Sequence, residues 1–239
     1  MVMCTIPETS IILAIETSSE TASVALLCGT RMTSRQASGA QTHSEAVLPM
    51  VQSLLADAGL PITQCSAIAF GAGPGSFTGV RTACGVAQGL AFGANLPILA
   101  INTLEAMADA CHRATGALAV LPMLDARMGE VYWAQYAFDQ AMLGVIAPRL
   151  SLPSEVEPTG PVLACGNALR VYADQFSDAS LCRDAQVDLM PHAEQIARLA
   201  QVALAAGHHV AARDAQPIYL RNNVALTTAE RLEKNRRAA

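Results

Sequence analysis

Apolar residues come in two rhythms along this chain. Short β-branched runs at 11–15 and 23–27 flank a polar turn at 18–21, which predicts two neighbouring strands. The polar stretch 31–41 continues the meander. From 44 to 58 the period changes. Val47, Leu48, Val51, Leu54, Leu55 and Ala58 recur at helical spacing, and Gly59 with Pro61 ends the run. Pro49 must then lie near the first turn or kink the helix. Leu48 and Leu55 stand to one side of Val47, Val51 and Leu54, so the apolar arc is wider than a helix lying on one sheet needs.

Residues 67–70 read as a buried strand, followed by a glycine and proline loop and a helix over 78–92 that Thr78 can cap. Gly85 and Gly89 lie four apart inside that helix, and Arg81 and Gly93 extend the row. Each interior glycine costs roughly 1 kcal/mol against alanine, so the stripe implies that another backbone comes close. That backbone belongs either to a neighbouring helix of the same domain or to a partner. A strand over 97–101 and a helix over 103–112, closing at Gly116, complete the first half.

A second start follows. Residues 117–124 are apolar, Asp125 ends the run, a turn contains Gly129, and 131–136 alternates as a strand. The first half opens the same way, with an apolar strand ending in Glu16, a polar turn and a returning strand. This faint repetition suggests a duplicated α/β unit with a cleft between halves. Residues 143–161 read as loop with room for one strand, 161–165 as a strand, and 168–175 as a short helix. Over 191–206 Ile196, Leu199, Ala200, Ala203 and Leu204 face inward on a helix that Gly207 closes. The charged end, 227–239, is expected to be a frayed, solvated tail rather than an RNA contact.

Composition narrows the function. With 52% hydrophobic and 15% charged residues, most of the 239-residue chain folds. A net charge of −5 argues against this chain gripping a nucleic acid backbone alone. The N-terminus has no basic region before its short apolar run, so no signal peptide is expected. The uncharged stretch between Arg81 and Glu105 is long enough to span a bilayer, but Gln88, Asn95, Pro97 and Asn102 interrupt it. No membrane association is expected. Seven cysteines without a CxxC pair fit a reduced, cytoplasmic protein whose thiols are small buried apolar groups.

Familiar catalytic signatures fail. The glycine loop lacks the lysine of a P-loop, and Thr78 stands where a dinucleotide fingerprint needs glycine. His208 and His209 form no HExxH, and Ser76 sits in no GxSxG elbow.

The segments LAIETSSETASVAL, HSEAVLPMV, GAGPGSFTGVR, LDARMGEVY and PIYLR together resemble the TsaB (YeaZ) family, from Ile11 to Arg221, with GPGSFTGVR the most specific. The resemblance implies the duplicated actin/Hsp70-like (ASKHA) fold, α/β, with two subdomains of mixed sheets flanked by helices. The expected division is 1–104, 105–222 (helix 191–206 packing back between the halves) and a tail over 223–239. The family implies a role in threonylcarbamoyladenosine (t6A) modification of tRNA beside the anticodon. There TsaB partners the catalytic relative TsaD, and a TsaE-type ATPase joins the complex. The catalytic relative carries a metal-binding HxxxH pair, and here Thr103 and Met107 stand in its place. A hydroxyl and a thioether cannot replace two imidazoles, so no metal site and no catalytic residue are expected.

The phosphate hairpin of actin-like ATPases resembles Glu16-Thr17-Ser18 here, without its glycine. Glu16 and Asp125 remain weak candidates for magnesium or water-positioning carboxylates. Their alternative, carboxylates bonding turn N–H groups, is favoured. His43 is expected to make an N-terminal helix contact. No intrinsic cofactor is expected, and ATP or ADP is placed at the partner junction if anywhere. The expected role is that of a non-catalytic subunit docking by helices 44–58 and 78–92. Leu48, Val51, Leu55, Arg81, Cys84, Gly85 and Gln88 are the expected partner-binding residues, and a homodimer is expected where the partner is missing. The alternative is an ATPase or kinase working in the cleft.

Overall fold

A computed structural model describes residues 10–37 and 43–221. Both sheets are mixed and follow one plan. In the first, β1 (Ile11–Glu16), β2 (Ala22–Cys28) and β3 (Arg31–Ala37) form an antiparallel meander. β4 (Ala67–Gly73) then runs parallel to β1, and β5 (Ile98–Asn102) parallel to β4, giving the order β3-β2-β1-β4-β5. In the second, β6 (Ala119–Asp125), β7 (Val131–Phe138) and β8 (Met142–Ser151) repeat the meander, and β9 (Leu163–Cys165) lies parallel to β6. The order β8-β7-β6-β9 matches the first sheet without its fifth strand. The repetition read from Glu16 and Asp125 is therefore a repetition of topology.

β1 is apolar on both faces because both faces are covered. Leu13 and Ile15 point into a core with α1 (His43–Ala58) and α2 (Phe77–Ala94), while Ile12 and Ala14 point at α5 (Ala193–Ala205). Each such fully buried Leu or Ile side chain contributes about 1.5–3 kcal/mol. α5 comes from late in the chain yet lies on the first sheet. Its buried Ala193, Ala197 and Ala200 let it approach closely, and the Ala193 N–H donates to Ser23 Oγ at 2.9 Å. α3 (Thr103–Thr115) packs Leu104, Met107, Ala108 and Cys111 against the second sheet and also touches α5. On that sheet's other face Leu121, Met123 and Trp133 meet α4 (Ala168–Val171), Tyr172 and Phe176. This is the actin-like arrangement of two mixed sheets flanked by helices, with α3 and α5 between them.

Several details differ from the sequence expectation. Ser76, not Thr78, caps α2: its Oγ accepts the Gly79 N–H at 3.4 Å, and the helix runs on to Ala94, where Asn95 takes the left-handed conformation at φ 53°. Pro49 stands at the seventh position of α1, on its exposed face and beyond the first turn. Residues 143–161, read as loop with room for one strand, hold most of β8, nine of whose residues (143–151) fall in that region. β8 is the sheet edge, where Gly144 and Pro148 cost little because one side of the strand makes no ladder. The expected frayed tail over 227–239 lies outside the described residues.

Candidate functional site

The glycine loop between β4 and α2 owes its composition to the β1–β2 hairpin that lies on it. A Cβ at Gly79 would stand 1.8 Å from the Thr17 carbonyl oxygen, and one at Gly75 would stand 2.6 Å from Ser18 Cβ. The contact is stitched from both sides. Thr17 Oγ1 donates to the Gly79 carbonyl at 2.7 Å, and the Ser76 N–H donates to the Ser18 carbonyl at 2.7 Å. Gly71 serves the hairpin too, since a Cβ there would meet Glu16 Oε2 at 1.8 Å.

Glu16 is completely buried. Its Oε1 accepts the Ser18 N–H at 2.5 Å, Oε2 has no hydrogen-bond partner, and burial pushes its carboxyl above the ordinary value of 4.5. Asp125, at the matching end of β6, accepts the Arg127 N–H at 2.8 Å and the Tyr172 hydroxyl at 2.7 Å on Oδ1. Its Oδ2 faces the Arg127 guanidinium at 3.2 Å. Both strand-end carboxylates thus bind the N–H two residues on, as the favoured reading expected.

Between the two hairpins lies a cleft of about 480 Å³, lined by Ser18, His43, Gly75, Asp125, Arg127 and Tyr219 among others. Glu16 is not part of its wall. A magnesium–nucleotide site of the actin type needs carboxylates from both halves facing the cleft, and here one is withdrawn behind Gly71 while the other is engaged by Arg127 and Tyr172. The two residues do not fit that group. His43, the first residue of α1, touches the Glu20 carbonyl through Nε2 at 3.3 Å.

The helix faces sort the expected docking residues. Leu48 is 43% exposed, Leu55 is half-buried, and Val51 is only 2% exposed and packs in the core. On α2, Cys84 is 5% exposed and also faces the core. Val51 and Cys84 are thus corrected to interior positions: each falls on the side of its helix turned to the sheet. Gly85 is exposed, and nothing lies within 4 Å of where a Cβ would stand at Gly85, Gly89 or Gly93. Among the described residues no neighbouring helix uses the glycine row. Phe92, exposed by 82%, stands beside it.

Arg81 and Gln88 are engaged by a segment that sequence reasoning gave no structural role. Residues 210–221 return along α2, where the Ala215 carbonyl accepts from Gln88 Nε2 at 3.0 Å and Cys84 Sγ at 3.7 Å. Arg81 Nε donates to the Tyr219 hydroxyl at 2.9 Å, and its guanidinium lies 3.6 Å from the Phe77 ring centre. The signal was present in the motif PIYLR, but the α2 partner of its Tyr219, Arg81, lies 138 residues earlier.

A family model described as TsaD, tRNA N6-adenosine threonylcarbamoyltransferase, matches residues 35–229. The tRNA threonylcarbamoyladenosine biosynthesis protein TsaB of Escherichia coli is 40% identical over 90% of this chain and 96% of its own length. The protein of the same name from Haemophilus influenzae is 38% identical over 89% of this chain and 94% of its own length. The solved structure of YeaZ from Pseudomonas aeruginosa superposes with a TM-score of 0.82 at 39% identity, covering 89% of this chain and all of that one. This chain belongs to the TsaB/YeaZ family.

Within this TsaB/YeaZ chain, the two positions that stand in place of an HxxxH pair are spent on packing. Thr103 is wholly buried and its Oγ1 accepts the Gly73 N–H at 3.1 Å. Met107 is wholly buried too, its Cε 2.7 Å from where a Cβ at Gly166 would stand. His208 and His209 lie exposed beyond α5. Among the described residues, no helix is long and apolar enough to cross a membrane.

Proposed function

We propose that this chain serves t6A modification of tRNA as a non-catalytic subunit that docks on a TsaD-type threonylcarbamoyltransferase. The observation that carries the reading is the open glycine row of α2. Glycines within a helix cost stability, and among the described residues nothing packs on Gly85, Gly89 or Gly93. A second helix laid along the row recovers that cost through close backbone approach. Leu48 and Phe92 flank the row with exposed apolar surface, and Leu55 adds a half-buried edge. The corrected docking set is Leu48, Leu55, Arg81, Gly85, Gln88 and Phe92. A four-helix contact of this kind buries about 1,600 Å² in total.

The catalytic metal and chemistry then belong to the partner. Nucleotide, where the assembly uses it, lies at the partner junction, and a TsaE-type ATPase and tRNA reach this chain through the complex in the cytoplasm. In the absence of the partner the same face pairs with a second copy of itself. The test is Gly85→Trp. The variant keeps the circular dichroism and melting of the wild type but no longer co-purifies with the TsaD-type relative. Undiminished co-purification would remove the glycine row from the interface. Depleting this chain from its source cells and weighing the tRNA nucleosides tests the pathway itself, with loss of t6A expected.

A further inference from the structure

The segment after α5 has no repeat of its own and is tied to both halves of the molecule. At one end the Val210 N–H donates to the Ile98 carbonyl and the Ile98 N–H to the Val210 carbonyl, each at 2.9 Å, extending the first sheet at β5. The segment then crosses α2 at Ala215 and Tyr219, as described above, and the Ile218 N–H donates to the Ala72 carbonyl at 2.7 Å at the end of β4. All of these anchors lie on the first half. Two residues further on, Arg221 reaches the other half: its guanidinium pairs with Glu130, donates to the Arg127 carbonyl at 3.4 Å and touches Met128 Sδ at 3.1 Å. Those three residues lie in the β6–β7 turn, and Arg127 and Met128 line the cleft.

We propose that residues 210–221 are a strap that fixes the opening of the cleft, with Arg221 as the clasp on the second half. The geometry favours this role over a passive return of the chain. The Arg221 side chain is 16% exposed and that of Glu130 32%, so the clasp is sheltered, whereas the other ion pair across the cleft, Arg127 with Glu20 at 3.7 Å, is 75% and 85% exposed and worth little. Cutting the sheltered pair leaves the two halves joined through α3 and α5, elements that permit a hinge. The strap also lies on the same helix, α2, whose glycine row carries the proposed docking face. Strap and docking set share Arg81 and Gln88, but the hydrogen-bond partners of Arg221 are Arg127, Met128 and Glu130, away from α2, so loss of the clasp and loss of docking are separable.

Nitroxide labels attached to p-acetylphenylalanine at Gln52 on α1 and at Gln140 in the β7–β8 turn, both exposed, read the separation of the halves by pulsed electron resonance in the full chain. Diluted in excess unlabelled chain, so that a pair of copies carries labels on one copy alone, the wild type gives one narrow distance. Arg221→Ala loses that single narrow peak and gains a longer, broader population, while its melting stays cooperative. Glu130→Gln removes the charge of the clasp with almost no change in shape and shifts the distribution the same way by a smaller amount. Tyr219→Ala frees the strap from α2 and does likewise. If Arg221→Ala and Glu130→Gln both keep the wild-type distribution, the strap does not set the cleft. A wild type that is already broad overturns the proposal equally. Retained co-purification of Arg221→Ala with the TsaD-type relative separates failure of the clasp from failure of the docking reading.

Discussion

One substitution made at two places on one helix should act in opposite directions. At Gly79 an alanine Cβ stands 1.8 Å from the Thr17 carbonyl oxygen and 2.9 Å from the Thr17 carbonyl carbon. Both are backbone atoms, so no rotamer relieves the clash, and the hairpin must retreat by about 1.6 Å to the 3.4 Å of ordinary contact. The retreat breaks the Thr17 to Gly79 and Ser76 to Ser18 hydrogen bonds, each 2.7 Å long. Overpacking costs about 1–3 kcal/mol and each lost bond about 1, while alanine's better helix propensity returns at most about 1. Gly79→Ala should therefore destabilise by about 2–4 kcal/mol.

At Gly85 and Gly89 a Cβ meets nothing within 4 Å. There only the propensity remains, and each alanine should stabilise the isolated chain by about 0.5–1 kcal/mol. Urea titrations at dilutions where the chain runs as a monomer measure both. The added methyl of Gly85→Ala should at the same time weaken association with the TsaD-type relative, so stability and binding move apart. A destabilised Gly85→Ala monomer would show that the row is already packed within the chain. An unaffected Gly79→Ala would show that the hairpin does not rest on α2.

Leu48→Asp removes an exposed side chain and should change monomer stability by less than about 0.5 kcal/mol while reducing co-purification with the relative; equal co-purification excludes Leu48 from the face. Glu16→Gln keeps the bond to the Ser18 N–H and removes a charge that burial disfavours. Because the folded carboxyl titrates above its ordinary 4.5, the native state holds the proton longer than the unfolded chain. Glu16's contribution is therefore fully present below pH 4.5 and falls as pH rises through the raised value, so wild type minus variant should decline over that window; a flat difference in urea titrations refutes the burial argument. Titrating the pure chain with Mg–ATP in a calorimeter should give no tight binding, and tight binding with turnover would favour the cleft ATPase or kinase reading instead.

The sheets were legible because their strands are covered on both faces and so read as uninterrupted apolar runs, as at 11–15 and 117–124. β8 was not, since an edge strand tolerates Gly144 and Pro148 and carries no such run. The outward faces of α1 and α2 were half legible. The wide arc of α1 correctly placed Leu48 outward, but Val51 and Cys84 look no different in sequence from residues that face out, and only the sheet beneath them decides. The strap was illegible, because Tyr219 and Arg221 take their meaning from Arg81 and Glu130, residues far away in the chain.

The glycines show the limit most sharply. Gly79 and Gly85 stand on the same helix, in the same small-residue context, and a sequence offers one statement about both: something comes close. At Gly79 the something is Thr17, a part of this chain, and the close approach is satisfied on folding. At Gly85 it is absent among the described residues. On the docking reading, the helix spends glycine on a contact that the described residues do not make, and a second observation sits beside it: an actin-like cleft whose Glu16 is turned inward and whose Asp125 is engaged by its own hairpin. The same two hairpins that would have held a phosphate between them are tied down by their own carboxylates. What the fold still offers outward is the face of α2, and on the docking reading that is where a partner's helices would find the space that no described residue fills.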